Sequence, residues 1–475
     1  MSTAELVVNV SRATTALDDG VVEAFAATFR GDLIGPADPG YDGAPLVWNG
    51  MIDKYPALIA QCTGTADVAA AVRFGREHDL AVAVRGRGHN VAGNALNDGG
   101  LVIDLSQMRG VHVDPVKRTV RAQPGANWGD VDRETQLFGL VTPGGEVSTT
   151  GIAGFTLSGG MGMLRRKWGL ACDNLLAVEI VTAAGEIIQA SQTSHPDLFW
   201  AVRGGGGNFG IVTWFKYQLY PLGPEVASAI VLYPLADAPA IMRAWREFTR
   251  EAPVEITSEV IFNSLPPFPD LPAEMHGAPT VFVGAVYAGP ADEGERALRP
   301  LREFATPIID LSGRPTYVQS QSAFDASFPD GRRNYWKSLF VDELADELLE
   351  ATIALGAERP TADTIIVLRH LGGAMSQVPD DATAYANRRA LFNLSIDGTW
   401  EDPRDDERVI AWTREAWRAM REPSNAGVYL NFAGLGEENE LLARAGFGPN
   451  YERLRQIKRR YDPDNLFRGN INIKP

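Results

Sequence analysis

At 475 residues, with 45% hydrophobic and 22% charged side chains, the chain is long enough for two or three domains and well supplied with core formers. Its 44 Lys and Arg against 60 Asp and Glu leave a formal charge of −16, which argues against a phosphate-backbone partner, so no nucleic acid is expected. Cys62 and Cys172 are too few for a disulfide framework and carry no metal spacing. Residues 1–15 lack the basic start and apolar run of a leader, and no stretch of about 18 apolar residues occurs. A cytoplasmic protein with no metal and no membrane partner is expected.

Residues 1 to about 55 open with a helical pattern around Val21, Val22 and Phe25, then enter a Gly/Pro-rich segment at 35–40. An alternating unit follows: a strand at 57–60, a helix from Thr65 to His78 with Val68, Ala71, Val72 and Phe74 on one face, and a strand at 80–84. This βαβ-like pattern puts residues 85–90, Arg-Gly-Arg-Gly-His-Asn, at the C-terminal end of a buried strand, where open α/β sheets favour ligands. Gly86, Gly88 and Gly93 leave the backbone bare, Arg85 and Arg87 place positive charge beside His89, and Asn90 adds a polar side chain. Taken alone, the motif reads first as a glycine-rich surface turn with a solvated histidine; in its βαβ setting it reads as a cofactor seat.

Strands are expected at 101–105, 111–114 and 119–122, with His112 on a solvent-facing side, and a helix at 128–138. Residues 143–162 then carry Gly144, Gly145, Gly151, Gly154 and Gly159. Each glycine costs roughly 0.5–1 kcal/mol in regular structure, so such density points to close backbone approach to a ligand. Free N–H groups and the hydroxyls of Ser148 and Thr149 would serve a pyrophosphate. Neither a Gly-Lys-Ser/Thr nor a GxGxxG after a strand is present here. A hairpin at 175–189 turns at Gly185, and a second glycine cluster at 203–212 sits between Trp200 and an alternating strand, unlike a polar linker.

The style changes at 220–224. Strands at 227–233, 280–287, 364–368 and 391–396 alternate with amphipathic helices at 237–250, 292–305, 341–355 and 405–420, which predicts an antiparallel sheet with helices on one face. Its aromatics, among them Tyr335, Trp336 and Trp400, either line a pocket or pack. The final segment holds Val428-Tyr-Leu-Asn-Phe432 and a helix at 450–460, stopped by Asp462-Pro463.

The His-bearing turn, the glycine run 144–162, the stretch Gly169-Leu-Ala-Cys-Asp-Asn174, the cluster 203–212 and the tail 461–475 stand together in an order that resembles the berberine-bridge-enzyme-like FAD-linked oxidoreductases, relatives of vanillyl-alcohol oxidase. The resemblance covers nearly the whole chain. It implies an α+β protein: a PCMH-type FAD-binding domain of two α/β subdomains at 1–222, a substrate domain at 223–424, and a segment at 425–475 returning to the FAD domain. It also implies an 8α-histidyl bond from His89 to FAD. Further cofactor contacts carry over onto Val147, Ile152, Asp173, Ile211, Asn431 and Asn470.

The pattern departs from the family in places. Where many members have a second, cysteinyl flavin link, this chain has Val147, so a single covalent bond is expected; Cys172 reads as a buried thiol. Arg87 replaces a usual glycine, and Met161 stands where plant members have Tyr. The implied reaction is hydride transfer from a small-molecule alcohol or amine carbon to flavin N5, with O2 or another acceptor reoxidising the flavin. A carbohydrate (hemiacetal) oxidase and a flavin-assisted non-redox cyclase are the alternatives. Tyr429 matches the tyrosine the family sets beside the flavin and would act as base or only orient substrate; a base role needs hydrogen-bond donors or a nearby cation, for which Lys337 and Arg369 are candidates. Asn393 and Ser395 fall on the strand that presents a polar group over the flavin, and Asn393 is taken with Tyr429 as a candidate catalytic residue.

Overall fold

The computed structural model describes all residues except 1–5, 11–12, 18, 268–271, 426 and 437–438. The βαβ expectation is met by strands Leu58–Gln61 and Val82–Arg85 around helix Thr65–Glu77, both strands pairing in parallel with Leu101–Asp104, which lies between them. Apolar residues at helical spacing, Val68, Ala71, Val72 and Phe74, bury that helix on the sheet. A second, five-stranded sheet is antiparallel, in the order Ile187–Ser191, Leu175–Val181, Ile211–Gln218, Thr119–Ala122, Val111–Asp114. His112 lies exposed on its edge strand. The core of this sheet also takes in Val428, Leu430, Phe447, Leu454 and Ile473, so the tail packs back onto the first half of the chain.

Between these halves stands a seven-stranded, wholly antiparallel sheet. Helices Ala238–Glu251, Asp346–Ala357 and Asp406–Arg421 cover one face, burying Trp245, Leu348 and Met420 against Val260, Leu368 and Leu394. Three of its strands, Ile256–Ser264, Ile309–Asp310 and Arg333–Val341, were not anticipated in the sequence, and the last shortens the expected helix at 341–355 to Asp346–Ala357. The expected helix at 292–305 is regular only over Ala291–Leu298 and tightens into a 3-10 turn at Arg299–Arg302, where Pro300 brings no N–H.

Two buried arginines on the short helix Arg165–Trp168 fasten the glycine run to this sheet. Arg165 donates to the His370 carbonyl (3.0 Å), and Arg166 to those of Leu371 (3.0 Å) and Ile256 (2.7 Å). The tail is fastened through Asn208 in the second glycine cluster: its Nδ2 donates to the Ile471 carbonyl (3.1 Å), its Oδ1 accepts from the Ile473 N–H (3.0 Å), and its carbonyl accepts from Lys458 Nζ (2.8 Å). Among the described residues no helix is long and apolar enough to cross a membrane.

Candidate active site

A cavity of about 310 Å³ lies where the parallel sheet, the glycine run, the tail and the uncovered face of the seven-stranded sheet meet. Its first wall is mainly backbone. Gly86, Arg87, Gly88, His89 and Asn90 line it directly after strand Val82–Arg85. Gly88 has φ +71°, and a Cβ there would meet Val47 at 2.9 Å, so the turn that delivers His89 requires glycine. The imidazole stacks on Trp48 (4.5 Å between centroids, 12° between planes), and Trp48 meets Trp336 edge-on. Burial lowers the His89 pKa to about 4, so the ring is neutral, and its Nε2 has no hydrogen-bond partner in the protein.

Gly145, Val147, Gly151 and Gly154 continue this wall from the glycine run, joined by Ile211, Asn431 and Asn470. At Gly162 a Cβ would overlap the Gly144 carbonyl, which is how closely the run folds on itself. Other residues singled out in the sequence stand behind the wall. Arg85 is paired with Asp104 (2.8 Å) and donates to the Ala44 carbonyl, so its charge is turned away from the cavity. Gly93 abuts Ile52, Gly144 faces Trp128, and Gly159 packs against Tyr385. Ile152 is a core residue, while Asp173 holds Arg388 through two 2.7 Å bonds. Ser148 commits its N–H and hydroxyl to Asp325 (2.8 and 2.5 Å) and so does not offer the phosphate donor expected of it, while Thr149 is exposed and stands outside the cavity lining.

The second wall is side chain. Strand alternation sends Val260, Ile366 and Leu368 to the helix-covered face and Glu259, Ile261, Val367 and Arg369 to the cavity. Phe324, Phe328, Trp336 and Phe432 complete an apolar surround. Tyr429 is 2% exposed; its Oη accepts from the Met161 N–H (3.1 Å) and Asn431 Nδ2 (2.8 Å), yet burial pushes its pKa up to about 12. Lys337 lies over the Trp417 ring (4.1 Å), and Arg369 over Phe432 (4.9 Å) while paired with Glu146 (3.0 Å), so neither cation is spent on the tyrosine. Asn393 is fully buried, donates to the Leu339 carbonyl (3.1 Å) and does not line the cavity. Ser395 accepts from Arg369 (2.8 Å) and donates to Asp397 (3.2 Å).

Sequence reasoning missed the charged cluster at the back of this wall. Arg165 and Arg369 both bond Glu146, at 2.8 and 3.0 Å. Burial disfavours the Glu146 carboxylate, but the two guanidiniums outweigh it and hold its pKa below the usual value. Burial pushes Asp397 up to about 7. Cys62 and Cys172 are buried free thiols, also pushed up by burial.

Comparison with known proteins agrees with this geometry. The profile of an FAD binding domain matches residues 56–191, and that of the "berberine and berberine like" family matches residues 428–474. An FAD-linked oxidoreductase of Dictyostelium discoideum is 31% identical over 90% of this chain and 91% of its own. The (R)-6-hydroxynicotine oxidase of Paenarthrobacter nicotinovorans is 31% identical over 94% of this chain and 97% of its own. The crystal structure of 6-hydroxy-D-nicotine oxidase from Arthrobacter nicotinovorans superposes with a TM-score of 0.84 at 30% identity, covering 94% and 98% of the two chains. Fold and site therefore define an FAD-linked oxidoreductase of the PCMH type. The chain belongs to the berberine-bridge-enzyme-like family. The cavity fits the cofactor: one wall is bare backbone at Gly86, Gly88, Gly151 and Gly154, and a neutral buried imidazole there has an uncommitted nitrogen.

Proposed function

We propose that this enzyme holds FAD by a single covalent bond to His89 and oxidises a small, flat, apolar alcohol or amine, with O2 or another acceptor taking the electrons. The observation carrying this reading is the His89 ring, buried at the cavity wall, clamped by Trp48 and neutral, with Nε2 unpartnered. Val147 at the cavity wall supplies no thiol for a second bond. When bound, FAD accepts a hydride at N5 and passes its electrons on.

The chain's own groups bind and orient. Ile261, Val367, Trp336 and Phe432 exclude water and favour a planar apolar body over a sugar. Tyr429, protonated at neutral pH, orients a substrate oxygen or nitrogen rather than taking its proton. Gly86, Arg87, Asn90, Gly145, Gly151, Gly154, Ile211, Asn431 and Asn470 would contact the cofactor. A cytoplasmic location is part of the same reading, supported by the two buried unpaired cysteines.

The test is the visible spectrum of purified protein before and after acid precipitation, for wild type and His89→Ala. Colour kept in the wild-type pellet and released to the variant's supernatant is expected. A wild-type supernatant holding all the flavin sinks the covalent bond. Flavin bleached by oligosaccharides but by no aromatic alcohol or amine sinks the substrate class.

A further inference from the structure

The cavity wall contributed by the seven-stranded sheet holds an acidic side chain with an oxygen that no hydrogen-bond donor reaches. Glu259 lies on strand Ile256–Ser264, opposite Gly284 on one side and Arg369 on the other. It is 3% exposed and lines the cavity. From the neighbouring strand Gly284 brings no side chain to cover it. Arg369 is the nearest cation, but its Nε stands 3.9 Å from Glu259 Oε2, beyond hydrogen-bond reach, because Glu146 has captured it at 3.0 Å. Glu259 Oε2 is left buried without a hydrogen-bond partner.

The groups facing Glu259 come from every packed element: Arg369 from its own sheet, Asp397 and Ser395 one strand further, Glu146 from the glycine run and Arg165 from the short helix. Three carboxyls thus share two guanidiniums, and Glu146 has first claim on both. Burial, then the Glu146 charge, push Glu259 up to about 7 against the pull of Arg369. Apart from the arginines, the other titratable groups on the cavity are committed elsewhere: His89 at the cofactor wall, Tyr429 protonated, Glu146 paired.

We propose that Glu259 is the proton acceptor of the reaction, its Oε2 taking the proton from the O–H or N–H of the substrate as the adjacent carbon loses its hydride. The proposal rests on the alcohol or amine reading above. The substrate's X–H bond breaks and an O–H bond forms on Glu259; the C–H bond breaks with its electron pair leaving for FAD; the C–X bond becomes double. FAD is the sole oxidant, and the proton later returns to solvent. Rates rise with pH as the carboxyl ionises, and a carboxyl titrating near neutrality is matched to this task.

Flavin-loaded wild type, Glu259→Gln and Glu259→Asp are compared, with benzyl alcohol and benzylamine as anaerobic reductants. Glu259→Gln is expected to slow flavin reduction about 10²–10⁴-fold and to remove the acid limb of the pH profile, and Glu259→Asp to retain that limb at a reduced rate. Reduction of Glu259→Gln within about threefold of wild type overturns the proposal. A second readout needs no substrate: the infrared band of a protonated carboxyl, growing in resting wild-type enzyme as pH falls through about 7, shifts in Glu259→Asp and weakens in Glu259→Gln. A band unmoved in both variants assigns that titration to Asp397 and overturns the proposal. Glu259→Asp keeps the buried charge should Glu259→Gln not fold. The acid-precipitated pellet stays yellow in every variant if the His89 reading holds, so a colourless wild-type pellet removes that reading while the infrared band still judges Glu259.

Discussion

Between Gly86 and Gly154 the cavity wall is mainly main chain, and between Glu259 and Arg369 it is side chain. The first wall makes room by having almost nothing there: bare backbone, close self-contact at Gly144 and Gly162, and a single neutral ring. The second is crowded with aromatics and backed by five ionisable groups that share too little positive charge. A wall of backbone tolerates one large cofactor and little variation. A wall of side chains can be retuned residue by residue.

The sharpest way to break this contrast is Arg369→Met. Removing the guanidinium leaves Glu146 with one partner and Glu259 with none, and breaking a buried pair of this kind costs about 3–5 kcal/mol. Chemical denaturation of the variant measures it. A loss under about 1 kcal/mol, the scale of an exposed pair, would mean that the cluster is solvated.

Next comes pH, to which the walls answer with opposite sign. His89 is lowered from its ordinary 6.5 to about 4, so in flavin-free protein its contribution is full above pH 6.5 and is lost as pH falls through 4, at most about 3 kcal/mol. Glu259 and Asp397 are raised from 4.5 and 3.8 to about 7, so their contribution is full below those ordinary values and is lost as pH rises through 7. Denaturant midpoints of flavin-free protein across pH 4–8 are expected to lose the acid-side fall in His89→Asn and part of the neutral-side fall in Glu259→Gln. Unchanged slopes in both variants would remove the pH contrast.

Tyr429→Phe is expected to have the smallest effect. It unpairs the Met161 N–H and one Asn431 bond, about 1–3 kcal/mol of stability, and slows flavin reduction by less than about tenfold. A loss of 10²-fold or more would return the proton to the tyrosine.

Much of the backbone wall was legible in the sequence, because its signals are local. A strand, a glycine-flanked histidine and a glycine-dense run occupy contiguous residues, and few conformations suit them. Even so, Ser148 and Arg85 were misread: their partners Asp325 and Asp104 lie 177 and 19 residues away, and no local pattern shows that their donors are taken. The side-chain wall was nearly illegible. Its charged groups come from positions 146, 165, 259, 369 and 397; cross-strand register gathers the last three, Glu259 opposite Arg369 and Arg369 opposite Asn393, and the glycine run and the short helix bring the other two. The strand carrying Glu259 went unrecognised, and with it the one available signal, a lone carboxylate among Ile256, Val260, Ile261 and Phe262.

The Asn208 clasp on the tail also has a bearing on biosynthesis. Asn470 and Ile471 form part of the cavity and are held there through Asn208, whereas His89 and the glycine run are made hundreds of residues earlier. A nascent chain emerging from the ribosome amino end first cannot close the cavity until those residues have cleared the exit tunnel. A chain stalled short of residue 470 has the histidine but not the complete cavity that surrounds it.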